Sequence, residues 1–145
     1  MKKRHSYPDL LRIMSRLRAP GGCPWDREQT HVSLIKYLRE EAREVEQAIR
    51  KRDPENLCEE LGDLLLQIVF HADIAAGQKQ FDMAEVVDAL CRKLIRRHPH
   101  VFGTAKKMKD GAEVLARWDE IKKAEKAERA RDLAKKRLTL KGKVR

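Results

Sequence analysis

Apolar positions recur at helical spacing through most of this chain, and each run is bounded by residues that start or stop helices. Pro8 followed by Leu10, Leu11, Ile13, Met14 and Leu17 predicts a short amphipathic helix over about 8–18. The stretch RAPGGCPWDREQTH (18–31) then breaks the pattern with two prolines and two glycines and reads as a loop. A second helix, capped by Thr30 or Ser33, runs to about 51. Asp53 and Pro54 supply the cap and first position of a third, about 54–76, which stops near Gly77. Asp82 caps a fourth over 83–97, closed by His98 and Pro99. The loop HPHVFGTAKKMKDG precedes a fifth helix that starts near Ala112 and carries Trp118. No stretch sustains the alternation of a strand, and no fixed-period repeat or interdomain linker is visible. The expectation is all-α: a helical bundle of about five helices in one domain.

Two of these helices break the rule that seam positions are apolar. In YLREEAREVEQAI (37–49), Leu34, Leu38, Val45 and Ile49 mark the expected buried stripe, and Glu41 fills the slot between Leu38 and Val45. In the next helix Leu57 and Leu64 are seven apart, with Glu60 between them. Glu44 follows Glu41 by three residues and Asp63 follows Glu60 by three, so each pair shares a helix face. Consecutive helices joined by a short turn pack antiparallel, and Gly62 is expected to let the backbones approach closely. Four facing carboxylates repel and resist burial. Arg39, Arg43 and Arg50 fall mostly on other faces, so a divalent cation is the better neutraliser. The donors are all oxygen, which favours magnesium or manganese and points to a phosphate ester or anhydride as substrate. The plain alternative is a pair of solvated Glu-rich faces; the matching of the two pairs argues against it. A di-iron bundle lacks its Glu-x-x-His element here.

Bulk properties narrow the rest. The 145 residues are 41% hydrophobic and 39% charged, with 5% aromatic, a helical-protein composition of single-domain size. No apolar run is long enough to span a bilayer, and the basic N-terminus is not followed by the apolar stretch of a secretory signal. Three widely spaced cysteines suit a reducing cytoplasm and read as structural thiols. The net charge of +10 is uneven: residues 122–145 hold eleven Lys or Arg against three Asp or Glu. That tail lacks the aromatics of a base-stacking surface. It reads as a frayed helix end followed by a loose stretch, LTLKGKVR, with nucleic acid an unlikely partner except through it.

In these paired acids and the segments around them the chain resembles the MazG family of nucleoside triphosphate pyrophosphohydrolases. EExxE (Glu40, Glu41, Glu44) and ExxD (Glu60, Asp63) match the family's metal motif. GGCPWDREQTH, EELGDLLLQIVFHA, KLIRRHPHVFG and RWDEIK follow in the family's order, so the resemblance covers about residues 8–124 and leaves 125–145 as a basic helix end and tail. It implies magnesium, with manganese as a substitute, on Glu41, Glu44, Glu60 and Asp63. It also implies nucleotide contacts from Lys93, Arg97, Trp118 and Lys122. Lys93 and Arg97 sit one turn apart, which suits a polyphosphate, and Trp118 offers a flat face to a base. Tyr37 and Arg39 lie beside the first acid pair as pocket-lining candidates. Glu40 is the candidate to orient or deprotonate a water. Trp25 and Asp26 either contact the base or hold their loop, and His98 and His100 read as helix-stop residues. The family is all-α and dimeric, so the resemblance implies a homodimeric, cytoplasmic enzyme that releases pyrophosphate from nucleoside triphosphates, with nucleotide-pool cleansing as a possible role. The rivals are a basic nucleic-acid-binding module and a non-catalytic, metal-stabilised scaffold.

Overall fold

A computed structural model describes residues 4–142, with side chains through Lys135. The described residues form helices and no strands, in two compact units that divide at Asp88/Ala89. The first unit holds α1 (Tyr7–Arg18), α2 (Pro24–Glu28), α3 (Ile35–Lys51), α4 (Pro54–Gly77) and the start of α5 (Met83–Arg97). The second holds the rest of α5, α6 (Pro99–Phe102) and α7 (Gly111–Gly142).

The five expected helices are present within a few residues of their expected bounds. The two short ones lie inside stretches that read as loops, where single turns started by Pro24 and Pro99 are too brief to show a period. The stretch expected as a loose end, 138–145, is helical to Gly142; residues 143–145 lie outside the described residues.

Local hydrogen bonds account for the boundaries. Ser6 donates from both its backbone N–H and its hydroxyl to the Asp9 carboxylate, which closes the first turn of α1. Thr30 and Ser33 cap reciprocally: the N–H of each donates to the other's hydroxyl oxygen, at 2.9 and 3.1 Å, and the turn runs straight into α3. At the other end of α3, Arg52 takes the left-handed conformation (φ 56°) and donates to the carbonyls of Ala48 and Ile49. Asp53 then accepts from the Asn56 N–H at 3.1 Å, with Pro54 following it, and α4 begins. This compact corner, with no free linker, folds α4 back along α3. Asp82 and Glu85 form a second reciprocal box at the start of α5.

The core of the first unit joins Met14 of α1, Leu34 before α3, and Val69, Phe70 and Ile74 of α4. Leu10, Leu11, Tyr37, Leu65, Leu66 and Met83 pack around it. This differs from the stripe expected for α3. Leu38 and Ile49 are 38% and 58% exposed, and the inward line instead runs through Leu34, Tyr37, Glu41, Glu44, Val45 and Ala48. The helix is rotated by less than one residue's width from the apolar reading, so Leu38 and Ile49 sit on its flank. Gly62 is also not a contact point, since a side-chain carbon there would meet nothing within 4 Å.

Two glycines do carry the fold. Gly21 has φ +78°, and a carbon added at Gly22 would lie 2.2 Å from the Leu17 carbonyl oxygen and 2.6 Å from that of Arg16. The chain leaving α1 doubles against the end of that helix, where the Cys23 N–H donates to the Leu17 carbonyl at 2.8 Å. Gly22→Ala is expected to lower unfolding stability by about 2 kcal/mol or more, because backbone on both sides must shift. Urea unfolding that shows no loss would contradict the close approach.

Candidate functional site

The acids sit where the corner between α3 and α4 brings two helix faces together. On α3, Tyr37, Glu41 and Glu44 are spaced four and three residues apart on the inward line; on α4, Glu60 and Asp63 are three apart. The pairing is antiparallel: the acids meet near the corner, and His31 meets His71 at the far end. One carboxylate oxygen from each of Glu41, Glu60 and Asp63 lies within 4.8 Å of the other two, and all three residues are half-buried. Glu44 lies within hydrogen-bonding reach of Glu60 and faces the same group. Glu40 is exposed, one position round the helix, and adds to the negative field on Glu41.

The electrostatics are one-sided. Burial pushes the Glu41 carboxyl above its ordinary range, and the charges of Asp63, Glu44, Glu60 and Glu40 push it further. Burial likewise raises Glu60, followed by Glu44, Asp63 and Glu59. No described Lys or Arg forms an ion pair with Glu41, Glu44, Glu60 or Asp63. Three converging, uncompensated, oxygen-only donors fit a hard divalent cation.

Tyr37 touches both the core and the surface. Its ring meets Trp25 edge-on at 5.7 Å, and the Lys36 ammonium lies 4.6 Å from its centroid. Trp25 is about half exposed and also meets Phe70 edge-on. Arg18 braces this corner through a 2.8 Å ion pair with Asp73 and a bond to the Asp26 carbonyl at 2.5 Å. Arg39 is exposed. The reading of the sequence did not anticipate the pair His31 and His71, whose rings stack at 5.0 Å with Nδ1 atoms 2.7 Å apart. One proton serves both facing nitrogens, and burial followed by the His31 charge holds His71 below its ordinary pKa. Forty residues separate the two, so no local spacing marks them.

In the second unit, Lys93 and Arg97 lie one turn apart on α5, both half-buried. Arg97 is engaged by Glu125 of α7, Nη2 to Oε2 at 2.7 Å, and Arg96 pairs with the same carboxylate at 2.7 Å. Hydrogen bonding from Arg97 is the largest cause holding Glu125 down at about pKa 2. The Trp118 indole N–H donates to the Arg97 carbonyl at 2.9 Å, and its ring meets His98 edge-on at 5.0 Å. His98 Nδ1 in turn reaches the Leu94 carbonyl at 2.6 Å, at the end of α5. Lys122 pairs with Asp119 on the exposed side of α7. Arg96 and Glu125 were missed because one lies off the Lys93/Arg97 face and the other beyond the stretch that carried the resemblance.

Residues 29–102 match the model of the MazG nucleotide pyrophosphohydrolase domain, a span that contains the whole acid cluster. The chain belongs to the MazG family. Over 126 residues, 86% of its length, it is 48% identical to the nucleoside triphosphate pyrophosphohydrolase of Escherichia coli (strain K12), and covers 48% of that protein. It is 45% identical over 122 residues to the uncharacterized protein YabN of Bacillus subtilis, covering 84% of this chain and 25% of that one. This MazG chain thus spans between a quarter and half the length of these relatives. It also resembles the crystal structure of a mazG-related protein from Thermotoga maritima, with TM-score 0.65 and 31% identity, over 80% of this chain and 98% of the other. Among the described residues, no helix is long and apolar enough to cross a membrane.

A stability test follows from the raised carboxyls. Protonated, Glu41 and Glu60 impose no charge penalty, so their cost is absent below the ordinary carboxylate range and grows as pH rises from there through their raised folded-state values. At pH 7.5 a divalent cation is expected to raise the melting temperature of the metal-free protein. Glu60→Gln is expected to raise the metal-free melting temperature and to shrink the response to cation. A variant that melts lower and keeps the full response would contradict the clustering.

Proposed function

We propose that this MazG domain hydrolyses nucleoside triphosphates to the monophosphate and pyrophosphate, using magnesium, or manganese as a substitute, on Glu41, Glu44, Glu60 and Asp63. The observation that carries the reading is the convergence of Glu41, Glu60 and Asp63 in the helix seam, in a chain that belongs to a pyrophosphohydrolase domain family. The named activity of the Escherichia coli relative agrees with it. When bound, the cation supplies neutralisation of phosphate charge and a more acidic water.

The chain's own residues do the rest. The two helices bring carboxylate oxygens of Glu41, Glu60 and Asp63 within 4.8 Å of one another, with Glu44 beside Glu60, which supports this assignment. Glu40, exposed beside Glu41, is assigned to orient a water or to take its proton. Lys93, Arg97 and Lys122 are assigned to the polyphosphate, and Trp118 and Tyr37 to the nucleoside, on their match to the family's positions. The Trp118 N–H is already used by the Arg97 carbonyl, so Trp118 acts through its ring.

On this proposal residues 1–124 are the hydrolase domain and 125–145 a basic helix end and tail. The reading places the protein in the cytoplasm, in removal of unwanted nucleotides. It also proposes a homodimer, because Leu38, Ile49, Leu61 and Ile68 leave exposed apolar surface on the outer flanks of α3 and α4.

The test is to incubate the purified protein with each nucleoside triphosphate and magnesium, and to separate pyrophosphate from inorganic phosphate. Pyrophosphate and monophosphate are expected in equal amounts. Glu41→Gln is expected to lower kcat by about 100-fold or more, the scale of losing a main source of charge stabilisation. Release of single phosphates would reject the bond assigned, and full turnover by the variant would reject the site. Light scattering on the same sample should give close to twice the 16.9 kDa chain mass, and a monomer would reject the dimer.

A further inference from the structure

Glu125 lies just past the stretch through which the family resemblance runs, yet its carboxylate bonds two arginines of α5. Its Oε1 accepts from Arg96 Nε at 2.7 Å and Arg96 Nη2 at 2.7 Å; its Oε2 accepts from Arg97 Nη2 at 2.7 Å. Arg97 Nε also reaches Oε1, at 3.4 Å. The carboxylate is 19% exposed, Arg97 25% and Arg96 56%. The arrangement leaves a net positive group, because two guanidinium charges meet one carboxylate.

Consecutive residues on a helix point about 100° apart, so Arg96 and Arg97 do not share a face by default. An exposed Arg also gives up rotamer entropy when it grips a ligand. One carboxylate that bonds both guanidiniums meets both difficulties: it draws them to one side and orders them beforehand. A second anchor holds the same turn from the backbone, where the Trp118 N–H bonds the Arg97 carbonyl. Lys93 lies one turn earlier on α5 and is half-buried like Arg97.

We propose that Glu125 is a positioning residue that gathers Arg96 and Arg97 into one preorganised cationic pair, so that Arg96 joins Arg97 in binding the polyphosphate of the substrate. This rests on the reading above that Arg97 meets the triphosphate. A simple charge argument has the opposite sign: deleting a carboxylate beside an anion site should tighten anion binding. A purely structural tie between α5 and α7 makes a third forecast, lower melting temperature with unchanged kinetics.

Steady-state kinetics of pyrophosphate release by wild type, Arg97→Gln, Glu125→Gln and Arg96→Gln, with a melting curve for each, separates the three. Glu125→Gln, nearly isosteric, is expected to raise KM about five- to tenfold with kcat within about twofold, the scale of one hydrogen bond. Arg96→Gln, at a mostly exposed side chain, is expected to raise KM about threefold with little change in melting. A KM that falls in Glu125→Gln overturns the proposal, and so does a KM that stays put while the melting temperature drops. If Glu125→Gln does not fold, Arg96→Gln decides: an unchanged KM there overturns it. Wild-type turnover with Arg97→Gln at the wild-type KM removes Arg97 from the substrate, and this inference with it, while leaving the hydrolysis standing. A wild type that releases no pyrophosphate removes both.

Discussion

Like charges forced together between two paired helices are the constraint from which the rest of the first unit follows. Helix pairing needs an inward line of side chains on each partner, and here part of that line is carboxylate. Apolar contacts farther along the pair, from Leu34, Val69, Phe70 and Ile74, hold α3 and α4 together in spite of the repulsion. Burial and mutual charge raise Glu41 and Glu60, so the arrangement stores an electrostatic demand that hard cations relieve. The capped corner at Arg52 and Asp53 fixes which acids meet.

Much of this was legible in the sequence because its signals are local. Aspartates mark helix starts through bonds spanning three residues, and the structure repeats them at Asp53 and Asp82, while α4 stops at Gly77 as expected, closed by the Gln78 N–H. The acid pairs stood out because charge in an apolar period is an anomaly that spacing alone reveals. The finer phase was not legible. Leu38 and Ile49 fit an apolar stripe as well as Tyr37 and Ala48 do, and only packing against α4 decides which side faces in. Short helices such as α2 and α6 carry too few residues for a period to emerge.

Contacts distant in sequence were hidden for a different reason. His31 with His71, and Arg97 with Glu125, join residues 40 and 28 apart, and neither pair follows from any repeat. The second unit shows how one acid can serve two cations. Glu125 is held near pKa 2 by its bonds to Arg97 and Arg96, so it stays ionised throughout the physiological range. The first unit has carboxylates in need of a cation, while the second has cations ordered by a carboxylate. In both, charged groups are brought together by helix packing, the arrangement that preorganisation requires.

Carbon-detected NMR titration of the glutamate carboxyls tests the shared account most directly, because it reads the charge state of individual acids. In metal-free protein the midpoints of Glu41 and Glu60 should lie above the usual glutamate range, and magnesium should bring both below it. Ordinary midpoints that magnesium leaves unmoved would contradict the claim that these side chains converge around a cation.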